Sequence, residues 1–119
     1  MLPFKKGCVI ILSIIGIKTE ALMVRHIVLF KLKDKSEENI NKTAEVLLSM
    51  KGKVPQIRGI EVGRDFLHSE RSYDIGLTVT LDDAKALDDY QNDPYHCEVV
   101  KKHMHAVRES SVAIDYYID

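Results

Sequence analysis

Hydrophobic and polar positions alternate along residues 24–33. Val24, His26, Val28, Phe30 and Leu32 fall on one face, and Ile27 and Leu29 fall on the other. A strand with apolar side chains on both faces is expected to be central in its sheet and covered on both sides. The period then changes. Ser36 is placed to cap a helix whose first turn carries Glu37 and Glu38. Ile40, Ala44, Leu47, Leu48 and Met50 or Lys51 trace its apolar stripe. Gly52 ends that helix, and Pro55 keeps the connection from continuing it. Residues 57–67 read as a second strand, with Ile60, Val62 and Phe66 set against Glu61 and Asp65, and with Gly63 as a possible bulge. His68-Ser69-Glu70-Arg71 is a polar turn. The cleanest alternation in the chain follows: Tyr73, Ile75, Leu77, Val79 and Leu81 against Asp74, Gly76, Thr78 and Thr80. The two strands read as a hairpin.

Asp82 is expected to cap a short helix whose inner face is Ala86, Leu87 and Tyr90. Asp93 is expected to cap the next, with Pro94 at its first position, where the missing N–H costs nothing. His96, Val99, Val100 and His103 form a stripe along it at spacings of three, four and seven. A last strand, 111–118, puts Val112, Ile114, Tyr116 and Ile118 on one face and Ser111, Ala113, Asp115 and Tyr117 on the other. The order strand, helix, strand, strand, helix pair, strand predicts an α+β fold, ferredoxin-like βαββαβ, with a four-stranded antiparallel sheet and helices on one face. Ile27, Leu29, Val112, Ile114 and Tyr116 then lie on the uncovered face, where together they would make a large exposed apolar patch. The pattern therefore predicts a homodimer closed through the open sheet face.

Composition narrows the class. The 119 residues suit one domain with a modest core. Hydrophobic residues make up 45% and charged residues 29%, and the net charge is −1, with the bases scattered. That gives no electrostatic footprint for nucleic acid, and neither a nucleic-acid nor a membrane partner is expected. Residues 1–22 stand apart from the domain at 23–119. Lys5 and Lys6 precede an apolar run from Cys8 to Ile17, as in a secretory signal, but the run is too short to span a bilayer and Thr19-Glu20-Ala21 makes a poor cleavage site. An alternative start at Met23, where a strand begins at once, is the other reading. Cys8 and Cys97 do not make a disulfide framework and suit a reducing, cytoplasmic setting.

The candidate chemistry sits in Asp89-Tyr90-Gln91-Asn92-Asp93-Pro94-Tyr95-His96, where a helix break brings Tyr90, Tyr95 and His96 close together. Imidazole titrates near neutral pH and could remove an acidic carbon-bound proton. A phenol could hold the developing oxyanion. The competing arrangement has His96 bonded to a backbone carbonyl at the helix start, with Tyr90 packed on the sheet. His26 shares a strand face with Val28 and Phe30 and is either a core histidine or a pocket residue. Asp115 lies on the corresponding face of the last strand, placed to orient a histidine or to pair in solvent. His96, His103 and His105 with Cys97 do not make a metal set, because a helical pair sharing an ion is one turn apart and His96 to His103 is two. The chain has no Gly-rich phosphate loop, nucleophile elbow or CxxC, and no cofactor is expected.

Taken in order, His26-Ile27-Val28-Leu29-Phe30-Lys31, Ile60-Glu61-Val62-Gly63-Arg64-Asp65, Tyr73-Asp74-Ile75-Gly76-Leu77-Thr78-Val79, Tyr90 to His96, Glu98-Val99-Val100 and Asp115-Tyr116 resemble the stress-responsive A/B barrel, or Dabb, family. The resemblance covers Met23 to Asp119 and implies a dimeric α+β barrel, in a family with little assigned chemistry. A distant resemblance extends to olivetolic acid cyclase, a member that uses a histidine and a tyrosine for an aldol-type ring closure. Those two match His96 and Tyr90, and a first-strand pocket histidine matches His26. A further strand-borne histidine of that enzyme is replaced here by Ile75, so its substrate does not carry over. The expectation is a Dabb protein of unassigned role binding a small organic ligand between helices and sheet, with Val28, Phe30, Leu77, Tyr95, Asp115 and His26 as ligand contacts. The alternative is a cofactor-free cyclase or isomerase acting on a β-keto or phenolic metabolite, with His96 as base and Tyr90 as acid or oxyanion partner. Related dimeric barrels also suggest a cofactor-free oxygenase.

Overall fold

A computed structural model describes residues 22–118. The two readings of residues 1–22 concern a segment that, but for its last residue, lies outside the described residues. The elements are β1 (Val24–Leu32), α1 (Glu37–Leu48), β2 (Ile57–Arg64), β3 (Ile75–Leu81), α2 (Ala84–Gln91), a π-helical segment (His96–Lys101), α3 (Lys102–Val107) and β4 (Arg108–Tyr117). The sheet order is β2-β3-β1-β4, with every neighbouring pair antiparallel. This is the predicted βαββαβ arrangement, with β1 central.

Pairing of β1 with both neighbours fixes which side chains face the helices. His26 lies opposite Val79 on one side and Asp115 on the other, and Val28 lies opposite Leu77 and Ala113. The helix-covered face buries Val24, Phe30, Leu32, Ile75, Leu77, Val79 and Leu81 against Leu47, Met50, Tyr90, Val100 and Met104. Each fully buried aliphatic or aromatic side chain contributes about 1.5–3 kcal/mol relative to exposure. Among the described residues nothing covers the opposite face. Leu29 is 38% exposed, Val112 47%, Ile114 57% and Tyr116 39%. Ile27, paired with Ile114, and Leu29, paired with Val112, join β1 to β4 across this face.

Local chemistry explains the boundaries. The Ser36 hydroxyl accepts the Asn39 N–H at 3.2 Å and starts α1. Gly52 turns the chain away with φ +83°, a conformation that a side chain disfavours. Several expected limits move. The second strand stops at Arg64 instead of 67, because the Asp65 carboxylate accepts the His68 N–H at 2.6 Å and folds the chain into a turn, leaving Phe66 88% exposed. The third strand starts at Ile75 rather than Tyr73, and the last begins at Arg108 rather than 111. Asp83, not Asp82, caps α2 by accepting the Ala86 N–H at 2.7 Å, while Asp82 pairs with Arg58. On the last helix the buried stripe is His96, Val100 and Met104, and Val99 is 41% exposed. The widened π-helical turn is the reason. It needs more than four residues to come round, so positions four apart stay in phase and position 99 rotates outward.

Ser36→Ala should lower unfolding stability by about 1 kcal/mol, with an unchanged denaturant slope, in urea melts followed by circular dichroism.

Candidate functional site

A cavity of about 240 Å³ lies between the sheet and the C-terminal helical segment. Its walls include His26, Val28, Phe30 and Leu77 from the sheet, Leu47 from α1, Tyr90 and Gln91 from the end of α2, and His96 and Val100 from the π-helical segment. The helix break aims His96. The Asp93 carboxylate accepts the N–H groups of Tyr95 at 2.9 Å and His96 at 3.2 Å. Pro94 occupies the first helical position, so the chain turns sharply and lays the His96 ring on Tyr90.

Three rings meet at the inner end. The His96 and Tyr90 centroids are 4.4 Å apart with the planes tilted by 35°. His26 meets Tyr90 edge-on at 5.6 Å. His26 Nδ1 lies 2.5 Å from Asp115 Oδ1, its cross-strand partner, in an arrangement that fixes the ring and leaves Nε2 without a protein partner among the described residues. His96 Nδ1 is buried and has no hydrogen-bond partner among the described residues. A buried, unpaired ring nitrogen costs folding free energy unless something else satisfies it.

Electrostatics differ along the cluster. Burial holds the His96 imidazole below its ordinary value near 6.5; the Gln91 backbone pulls it upward without prevailing, and Lys101 and His26 press it further down. His96 is therefore a neutral base at pH 7. Tyr90 goes the other way. Burial, assisted by the Asp115 carboxylate, holds its phenol well above the ordinary range, so it stays protonated.

The expected residues are distributed as follows. His26, Val28, Phe30, Leu77, Tyr90 and His96 all border the cavity. Asp115 reaches it through His26. Tyr95 turns to the other side of its helix, where its hydroxyl lies 2.7 Å from Ser49 Oγ and the Lys53 ammonium sits 5.7 Å from its ring. The Tyr90 hydroxyl donates to Met50 Sδ at 3.7 Å, so the ring walls the cavity while its polar atom is engaged elsewhere. Leu87 does not border the cavity, and Leu47 and Val100 line it without filling it. Ile75, where the cyclase has a histidine, is buried opposite Phe30 and is not part of the lining. Met104, Lys101, His105, Arg108 and Ser111 also border the space; nothing in the local pattern singles them out, because their arrival depends on the π-helical phase and the early start of β4. No group of three or more His, Cys, Asp or Glu side chains suited to a metal forms among the described residues.

These features define a ferredoxin-like α+β domain with a polar-ended cavity between its helices and its sheet. The family model for the stress responsive A/B barrel domain matches residues 24–118, and the chain belongs to that family. A dimeric protein of unknown function and ferredoxin-like fold from Bacteroides fragilis is 31% identical, with a TM-score of 0.69 over 81% of this chain and 96% of its own. A Dabb family protein with a ferredoxin-like fold from Mesorhizobium loti is 28% identical, with a TM-score of 0.62 over 80% of this chain and 95% of its own. The hydroxynitrile lyase of Passiflora edulis shares the fold at 18% identity, with a TM-score of 0.72 over 83% of this chain and 95% of its own. Among the described residues no helix is long and apolar enough to cross a membrane.

A histidine held neutral by burial makes stability depend on pH. With the folded value of His96 below the unfolded one, the unfolded chain binds more protons between them, so stability is full above about pH 6.5 and declines on acidification through that window. His103, also lowered by burial and by Lys42, acts in the same sense. Urea midpoints measured from pH 7.5 to 5 should fall with acid, and His96→Asn should flatten the decline.

Proposed function

We propose that the protein is a homodimer joined through the apolar sheet face, and that each cavity binds a small organic carbon acid from which His96 removes a proton without a cofactor. The observation that carries this reading is that the His96 ring borders the cavity together with His26, which is held by Asp115, and that its buried Nδ1 has no partner among the described residues. A neutral imidazole in an apolar enclosure is a competent base for an acidic C–H next to a carbonyl. The His26 ring, held by its Nδ1 contact with Asp115, would lie beside the enolate oxygen, and preorganised polar groups of this kind stabilise charge as it develops. Tyr90 acts as a wall that orders the two imidazoles, since its hydroxyl already serves Met50. The reaction class is that of a lyase, isomerase or cyclase with an enolate-like intermediate.

Size fits a modest ligand. A cavity of ~150 Å³ accommodates benzene, so about 240 Å³ suits one ring with a short side chain. The dimer is supported by the uncovered face of Leu29, Val112, Ile114 and Tyr116 and by the dimeric description of the Bacteroides fragilis relative. A reducing cytoplasmic setting suits the free, half-buried Cys97. A second reading, ligand binding without turnover, draws on the engaged Tyr90 hydroxyl.

The test is exchange of the C3 protons of phenylpyruvate into deuterated buffer, followed by NMR. The wild-type chain should accelerate exchange, and His96→Ala should lose roughly 100-fold or more of that acceleration. Equal rates for both would leave only the binding reading. Light scattering should give a dimer at micromolar concentration, and Ile114→Asp should give a folded monomer; a monomeric wild type would refute the interface.

A further inference from the structure

We infer that the ligand is an organic anion, a small carboxylate whose charged end rests on Lys101 and Arg108 at the cavity mouth while its apolar body and acidic C–H reach inward. The inference rests on the carbon-acid reading of the same cavity and names its substrate class.

The cavity is graded from end to end. His26, Tyr90 and His96 at the inner end are buried, whereas Lys101, His105 and Ser111 are exposed and Arg108 is half-buried, which locates the mouth. Between the ends lie Val28, Phe30, Leu47, Leu77, Val100 and Met104, an apolar middle with no hydrogen-bonding side chain. The lining contains no aspartate or glutamate. Among the described residues Lys101 and Arg108, like most lysines and arginines of the domain, belong to no ion pair, but these two alone of them border the cavity. Two uncompensated cations at one end of an apolar slot form a receptor for an anion, and Arg presents a planar fork suited to a carboxylate.

Register gives the length. On the sheet Ser111 stands opposite Phe30 and Asp115 opposite His26. Mouth and inner end are therefore four residues apart along β1, roughly 13 Å at about 3.3 Å per residue. The Ser111 hydroxyl and the His105 ring add hydrogen-bonding capacity beside the two cations. At the inner end the Asp115 carboxylate supplies negative potential, which also raises Tyr90. An anionic ligand is thus attracted at the mouth and repelled at the far end, so it enters with one orientation and presents its neutral, reactive end to His96.

The test measures binding by calorimetry for three acids of one-ring size or smaller (phenylpyruvate, phenylacetate and 4-methylpentanoate), each against its methyl ester. At least one acid should bind ten-fold or more tightly than its ester. That preference should shrink to within two-fold in the Lys101→Gln/Arg108→Gln double variant and should weaken between 50 and 500 mM NaCl. Arg108→Lys in the presence of Lys101 should retain most of it, separating charge from a packing effect. Absence of any preference across the set, including absence of binding, overturns the inference, as does a preference untouched by the double variant. His96→Ala should keep the preference while losing proton exchange. Preference with exchange unaffected by His96→Ala would sink the catalytic reading alone, and equal exchange of phenylpyruvate and its methyl ester, lost in His96→Ala, would sink the anion site alone.

Discussion

The antiparallel register of β1 against β4 is the constraint on which the rest of the molecule turns. It sets His26 beside Asp115, Phe30 beside Ser111, Ile27 beside Ile114 and Leu29 beside Val112. The first two pairs face the helices and the last two face away. A slip of one residue would exchange the two faces of β4, because side chains alternate with period two. It would remove the carboxylate from His26 and bury aliphatic groups where the cavity now opens. The polar inner end of the cavity and the apolar outer face of the sheet are thus two results of one alignment, reinforced by the bond from the Ile118 N–H to the Met23 carbonyl at 2.8 Å.

A second constraint comes from the helical side. Asp93 caps two N–H groups, Pro94 forces the turn, and the π-helical segment from His96 to Lys101 lets Val100 and Met104 follow His96 onto the sheet. π-Helical turns concentrate at functional sites. Here the turn begins at the histidine with the unpartnered nitrogen and ends on the lysine at the cavity mouth. The arrangement leaves a polar atom unsatisfied in the folded chain, a local cost that is expected where a protein keeps a group ready for another molecule.

Much of the fold was legible in the residues, for physical reasons that can be named. Tyr73 to Leu81 carries strict alternation, Val24 to Leu32 is apolar on both faces, and Ser36, Asp93-Pro94 and Gly52 are strong punctuation, so element order and the two-faced sheet follow directly. The position of His26 followed from alternation alone. Phe66 did not, because an apolar side chain in phase with a strand gives no sign that the Asp65 carboxylate will end it. The expected stripe holds Val99 and omits Met104 for a similar reason: a π-helical turn has no composition of its own and declares itself only once the helix is packed. Tyr95 sits one residue from His96 but points to Ser49, a distinction that depends on helix phase. The direction of the Tyr90 hydroxyl depends on Met50, forty residues earlier. Lys101 and Arg108 come from different elements, and only the packing of the helices on the sheet brings both to the cavity.

The sheet is a partition one chain thick. On one side stand the imidazoles and the cations, and on the other the apolar side chains of Leu29, Val112 and Ile114. Successive residues of β4 serve opposite sides, so Ile114 and Asp115, neighbours in the chain, answer to different demands. Drift on the inner side could retune what is recognised without loosening the outer side, and the reverse holds as well. A scaffold divided in this way can change its chemistry while keeping its architecture, which suits a family whose members share a shape far more closely than they share a sequence.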